Sequence, residues 1–162
     1  MARAYVGLGA NLANPPLQLR QAIARLRQRH GIRQVKESSF YRSAPLGPDP
    51  QDDYCNAVCE IETTLDPRDL LAALKQIEDG MGRQRPAVRW APRLIDLDLL
   101  HYEGIAASEP ELTLPHPEIG HRNFVLVPLA EIAPALHIPG LGLASRLAVD
   151  TGSDGLSLWS PA

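Results

Sequence analysis

The 162-residue chain contains no run approaching the roughly 20 apolar residues of a membrane-spanning helix. Its opening, Met1-Ala2-Arg3-Ala4-Tyr5-Val6-Gly7, lacks the apolar stretch of a secretory leader. A cytoplasmic protein without a membrane partner is therefore expected. Cysteine is nearly missing. Cys55 and Cys59 are not spaced as C-x-x-C, and no second pair exists to complete a zinc cage. Both are expected to be small buried apolar groups. There is no excess of positive charge either: 16 Lys and Arg stand against 19 Asp and Glu, a formal net charge of −3. General nucleic-acid binding loses its electrostatic basis, and any anion site must be local. Internal repeats and linker-like stretches are missing too, so the length and the ordinary 44% hydrophobic content predict one domain over residues 1–162.

Two nucleotide signatures are incomplete. Gly7-Leu8-Gly9-Ala10-Asn11-Leu12 begins like G-x-G-x-x-G, but Leu12 stands where the third glycine belongs, and no Gly-Lys-Ser/Thr follows. The elements themselves are readable. An apolar strand is predicted over Ala4–Ala10. A helix opening at Pro15-Pro16 runs to about His30, with Leu19, Ile23 and Leu26 on its buried face and Arg20, Arg25, Arg27 and Arg29 on its solvated side. Gly31 ends it, and Ile32 to Arg42 reads as one long strand. The Pro- and Gly-rich stretch Ala44–Gln51 reads as a lid-like loop. Tyr54 to Thr64 is the next strand, with Tyr54 and Asn56 on one face and Cys55, Ala57 and Cys59 on the other. On its own, the Tyr54/Asn56 pair reads as an ordinary cross-strand tyrosine beside a turn-forming asparagine. Asp66-Pro67 caps a second helix, Arg68 to Met81, with Leu70, Leu71, Leu74 and Ile77 as its stripe. Leu112 to Pro117 is extended, a short helix spans Val125 to Ile132, and the stretch from Thr151 is expected to be loosely ordered. The order β-α-β-β-α-β predicts an α+β, ferredoxin-like sandwich with a C-terminal extension.

The most informative segment is Trp90-Ala91-Pro92-Arg93-Leu94-Ile95-Asp96-Leu97-Asp98-Leu99-Leu100. In a strand, Leu94, Asp96, Asp98 and Leu100 share one face, while Ile95, Leu97 and Leu99 share the other. Two carboxylates roughly 7 Å apart on one strand face fit a hard divalent cation, or else a wet strand edge. The preceding loop favours the cation, because Arg83, Arg85, Arg89 and Arg93 arrive there without an acid among them. Guanidinium forks match phosphate oxygens.

Taken together, Ser38-Ser39-Phe40-Tyr41-Arg42-Ser43-Ala44-Pro45-Leu46-Gly47, Tyr54-Cys55-Asn56-Ala57, Gly82-Arg83, the Arg89-to-Asp98 block and Leu114-Pro115-His116-Pro117 resemble the 6-hydroxymethyl-7,8-dihydropterin pyrophosphokinases of folate synthesis. The resemblance runs from about Ala4 to Pro134. It implies transfer of the β,γ-pyrophosphoryl unit of ATP to the pterin hydroxymethyl oxygen, with AMP leaving. By the same resemblance, Asp96 and Asp98 would hold two magnesium ions, and Arg83 and Arg93 would handle phosphate during catalysis. Tyr54 and Phe124 would sandwich the pterin, Asn56 would read its edge, Trp90 would close over it, and Ser43, Ala44 and Leu46 would lie at its side. Glu78, Arg85, Leu99, Thr113, His116 and Arg122 fall at nucleotide contacts. Departures from the family pattern occur at Lys75, Pro86 and Glu111, and Ser43-Ala44 replaces Thr-Pro.

The implied partners are the small molecules ATP and a reduced pterin, for a monomer. A pterin- or nucleotide-binding module without turnover is the second reading; Arg83, Arg93, Asp96 and Asp98 speak against it. A ferredoxin-like RNA-binding module is the third, opposed by the net charge and the missing paired aromatics of an RNP signature.

Overall fold

The computed structural model describes residues 1–45, 47–48, 50–82 and 94–159. The elements, in chain order, are β1 (Ala2–Ala10), α1 (Pro15–Gln28), β2 (Ile32–Glu37), β3 (Tyr41–Ser43), β4 (Tyr54–Thr63), α2 (Pro67–Gly80), β5 (Asp96–Tyr102), β6 (Ala107–Glu109), β7 (Leu112–Leu114), α3 (Asn123–Ile132), β8 (His137–Ile138), β9 (Gly142–Leu143), α4 (Ala144–Thr151) and β10 (Ser157–Leu158). Among the described residues, six strands form one antiparallel sheet ordered β10-β3-β4-β1-β5, with β2 also paired to β4. The fold is a mixed α/β arrangement with helices on both sheet faces.

Strand alternation divides the interior in two. Ala4, Val6, Leu8 and Ala10 of β1, Cys55, Ala57, Cys59 and Ile61 of β4, and Leu97 and Leu99 of β5 meet the apolar stripes of α1 and α2. Each fully buried leucine there, such as Leu19, Leu26, Leu70 or Leu74, contributes about 1.5–3 kcal/mol of burial. Both cysteines are free and fully buried in this layer, and burial pushes each thiol up to about 12. On the opposite face Tyr5, Val58 and Leu100 pack against Leu126, Leu129 and Ile132 of α3, together with Ile138 and Ala144.

Local chemistry explains the boundaries. Asp66 accepts a hydrogen bond from Asp69 N at 2.8 Å, and Pro67 opens α2. Gly31 has φ +90°, and an added Cβ would lie 2.9 Å from Leu65, so the α1–β2 turn requires glycine. Between β1 and β5 the register shifts at Tyr5/Val6: Val6 faces Leu99, whereas Tyr5 faces His101. That extra β5 residue is a bulge.

Three sequence expectations need correction. The long strand predicted over 32–42 is broken. Glu37 pairs with Cys59 but Tyr41 with Asn56, one residue out of step, and Ser38 fills the gap. Ser38 N donates to Val58 O at 2.9 Å, and Ser38 Oγ accepts from Val58 N at 2.9 Å. Residues 152–159 also depart from the loose arrangement expected of them. The chain turns at Gly152 and returns as β10, which pairs through Ser157 with Arg42 and through Leu158 with Tyr41. Helix α3 begins at Asn123 rather than Val125.

Candidate active site

The second-face helices cover only part of the sheet. Beside the N-terminal end of α3, the uncovered part forms a cavity of about 190 Å³ lined by Gly7, Gly9, Ser43, Ala44, Tyr54, Asn56, Asp96, Asp98, Arg122 and Phe124, among others. Ligand pockets usually run to about 300–1,000 Å³, so the covered space suits one flat bicyclic ring system better than a whole nucleotide.

Strand register makes this site. Asn56 of β4 pairs with Gly9 of β1, which pairs with Asp96 of β5; one step along, Val58, Gly7 and Asp98 form the next transverse row. With strands about 4.8 Å apart, Asn56 and Asp96 stand roughly 9.5 Å from each other, with a glycine between them. Gly9 removes any side chain from the floor: a Cβ there would sit 3.5 Å from Asn56 Oδ1 and 3.7 Å from Tyr54 Cδ1. The Gly7-x-Gly9 pair is thus a pocket floor, not a truncated dinucleotide fingerprint.

At one end of the row, Asn56 is 4% exposed and Ser43 is 7% exposed. Asn56 Nδ2 donates to Ser43 Oγ at 2.7 Å, which fixes the amide and directs Oδ1 toward the Gly9 floor. A buried carboxamide held this way reads the donor edge of a heterocycle. Tyr54 and Phe124 supply aromatic surface, and the Arg122 guanidinium lies 5.7 Å from the Phe124 ring centroid.

At the other end, Asp96 is half-buried and Asp98 exposed, both lining the cavity. Two acidic oxygen donors beside an open cleft are a donor set for a hard cation such as magnesium. Among the described residues no cluster of three or more His, Cys, Asp and Glu could complete a metal cage. Such an ion would keep coordination positions for phosphate and water.

Other expected residues do not line this cleft. His116 accepts from Glu118 N through Nδ1 at 3.1 Å, which leaves the proton of the neutral ring on Nε2. Burial lowers its pKa below the usual 6.5, with the Asp98 charge opposing the shift and the Arg122 charge adding to it. Glu78, 6% exposed, accepts Leu97 N at 2.7 Å and satisfies an edge N–H of β5. Thr113 Oγ1 donates to Glu109 O at 3.2 Å in the β6–β7 hairpin. Leu99 points its side chain into the α1/α2 layer, so only its backbone remains for a ligand on the cleft side. Leu46, Arg83, Arg85, Trp90 and Arg93 lie outside the described residues. Sequence reasoning missed Gly7 and Gly9 as lining residues, along with Leu8, Ala57, Leu100 and Val125. A glycine pair alternating opposite an alternating aspartate pair is the signal that could have found the first two.

A family model described as 7,8-dihydro-6-hydroxymethylpterin-pyrophosphokinase matches residues 5–134. A 2-amino-4-hydroxy-6-hydroxymethyldihydropteridine pyrophosphokinase of Methylorubrum extorquens is 46% identical over 148 residues, covering 91% of this chain and 93% of that protein. The Haemophilus influenzae protein of the same name is 44% identical, covering 91% of each. In fold, the chain is similar to the Plasmodium falciparum HPPK-DHPS crystallised with pteroate, with a TM-score of 0.74 at 13% identity over 92% of this chain. The chain spans 44% of that longer polypeptide.

Proposed function

The chain belongs to the 7,8-dihydro-6-hydroxymethylpterin-pyrophosphokinase family, and from that premise we propose how its cleft divides the work. The enzyme is an ATP-dependent diphosphotransferase of folate synthesis, passing pyrophosphate from ATP to 6-hydroxymethyl-7,8-dihydropterin. In our reading, the pterin lies across Gly9 with its ring against Tyr54 and Phe124. Asn56 Oδ1 accepts from the ring's donor edge, while Ser43 and Ala44 border it. The hydroxymethyl group then extends toward the row that ends at Asp96 and Asp98. The observation that carries this reading is the register Asn56–Gly9–Asp96, which sets the edge reader and the acidic pair about one bicyclic ring apart.

The two aspartates would hold two magnesium ions. Bound there, magnesium would neutralise phosphate charge and orient the triphosphate for in-line attack. The pterin oxygen bonds to the β-phosphorus, the bond from that phosphorus to the oxygen carried by the α-phosphate breaks, and AMP departs with that oxygen while the hydroxyl proton is lost. Holding the hydroxyl near this phosphorus turns binding into effective concentration. Arg122 borders the phosphate end of the ring. Arg83 and Arg93 are assigned to phosphate charge and Trp90 to closing over the pterin, with Leu46 at its side. Arg85, Glu78, Thr113, His116 and the Leu99 backbone are assigned to the nucleotide side; all of these rest on the motif resemblance. We read the sheet order as a ferredoxin-like βαββαβ sandwich with a C-terminal extension, forming one domain over residues 1–162. We read it as a cytoplasmic monomer acting on small molecules, with no nucleic-acid or membrane partner; the net charge of −3 argues against general nucleic-acid binding.

Asn56→Ala tests the assignment of the pterin site. Pterin affinity should fall by roughly 1–3 kcal/mol in titration calorimetry, with MgATP affinity retained. Phosphorus NMR of turnover should show a diphosphate ester and AMP formed one for one. Equal loss for both substrates, or ADP as the sole nucleotide product, would overturn the reading.

A further inference from the structure

The pterin side of the cleft rests on a weak element. Strand β3 has three residues, Tyr41–Ser43, and Ala44 follows directly. Ser43 orients Asn56, so a displacement of β3 reaches the edge reader through one hydrogen bond of 2.7 Å. On its other side β3 meets the C-terminal strand β10, and Trp159 N donates to Phe40 O at 2.9 Å.

The side chains add a clamp at the centre of β3. Alternation puts Ser43 in the cleft and turns Arg42 to the opposite face. There the Arg42 guanidinium lies 3.8 Å from the centroid of the Trp159 ring, a close cation–π stack. The same guanidinium is 3.5 Å from the carboxylate of Asp53, the residue preceding Tyr54. One arginine therefore joins the returning C-terminus, the strand that carries Ser43 and the entry to the strand that carries Tyr54 and Asn56. Trp159 also packs against the edge of the α1/α2 layer, beside Phe40. Neither Trp159 nor Arg42 lines the pterin cleft. The ion pair is half exposed and adds little by itself. The stack and the strand pairing carry the constraint.

We propose that Trp159, acting through Arg42, is a positioning residue for pterin recognition: the C-terminal strand holds Ser43 and Tyr54 in register so that Asn56 is set for the ring. The proposal rests on the reading of the cleft as the pterin site. Its effect is selective, because Asp96 and Asp98 lie across β4 and β1 on the far edge strand. The phosphate end does not depend on the strap.

The test measures pterin and MgATP affinity by calorimetry, steady-state kinetics for each substrate, and thermal melts, on full-length Trp159→Ala, Trp159→Phe and Arg42→Gln. Trp159→Ala and Arg42→Gln should each weaken pterin binding on the order of tenfold and raise the pterin KM to match, with kcat and MgATP affinity nearly unchanged. Trp159→Phe keeps an aromatic face and should restore most of the pterin affinity. Unchanged pterin affinity in both disruptive variants, or equal losses for pterin and ATP, would overturn the proposal. Should Trp159→Ala fail to fold, Arg42→Gln carries the same two outcomes. Asn56→Ala separates the two levels: if it weakens pterin binding while the strap variants do not, only the strap is wrong; if it leaves pterin binding intact, the cleft assignment fails.

Discussion

Gly9→Ala separates folding from recognition. An added Cβ would meet Asn56 Oδ1 at 3.5 Å, Tyr54 Cδ1 at 3.7 Å and Cys55 O at 4.0 Å, all ordinary contact distances. The backbone is extended β1 strand, so alanine adds no strain and removes the entropy cost of a strand-interior glycine. Folding stability should be unchanged or rise by about 0.5–1 kcal/mol. The new methyl nevertheless stands in the floor between Asn56 and Asp96, where the ring is placed. Forcing one extra carbon beneath a fitted ring costs about 1–3 kcal/mol, or roughly 5- to 150-fold in pterin dissociation constant. Thermal melts with calorimetric titration of pterin and MgATP read both quantities on the same samples. A variant with lowered melting temperature would show that the floor is not open. A variant that binds pterin as well as the parent does would show that the ring lies elsewhere than across β1.

Further expectations concern other parts of the molecule. Asp98→Asn should leave the melting temperature in place and reduce turnover by about 10²-fold or more, with the residual rate demanding more magnesium; undiminished turnover in excess chelator would refute the acidic pair as an ion site. Glu78→Ala leaves the Leu97 N–H without its 2.7 Å acceptor and should cost about 1–3 kcal/mol in denaturant unfolding, while Glu78→Gln retains an acceptor and should lose less. Burial lowers the pKa of His101 below 6.5, with Glu103 opposing, and no hydrogen-bond partner meets its Nδ1. The unfolded chain therefore binds the extra proton first, so stability declines as pH falls from about 6.5 toward the lowered folded value. His116 shifts the same way. His101→Phe should flatten the pH dependence of the melting temperature between neutrality and mild acid, and an unaltered slope would exclude His101 as its source.

The periodic parts of this molecule were legible because one face of each was buried. The stripe Leu70, Leu74 and Ile77 gave α2, and the alternation from Asp96 to Leu100 set the acidic pair opposite the core. What escaped had no period to read. Strand β10 has two residues, both exposed, and its place comes from backbone pairing and one aromatic ring. Helix α4 does carry a stripe, Ala144, Leu147 and Ala148, but it is short and buries only Ala144 fully. The break at Ser38 depends on register against β4, which only the partner strand reveals. Leu99 illustrates the opposite limit. A motif match suggests a ligand contact there, yet alternation alone already turns its side chain away from the Asp face. The glycines of β1 were visible as residues but not as a floor, because a missing side chain has meaning only beside the Asn56 and Asp96 that flank it.

The bulge in β5 puts the strand out of phase with itself. From Asp96 to Leu100 odd and even positions alternate regularly, but Leu100 and His101 then both face the Tyr5 side, and Tyr102 re-enters the α1/α2 layer to donate to Leu65 O at 2.6 Å. The half of the strand that bears the aspartates is thereby uncoupled from the half that anchors it. A residue deleted at the bulge would restore plain alternation, with His101 and Tyr102 on their present faces and Asp96 and Asp98 aimed as before; a residue deleted between the aspartates would turn one of them into the core. The acidic pair thus tolerates changes of length on one side only, and the stretch Asp96–Leu100 is the unit that has to be moved intact if the site is grafted onto another sheet.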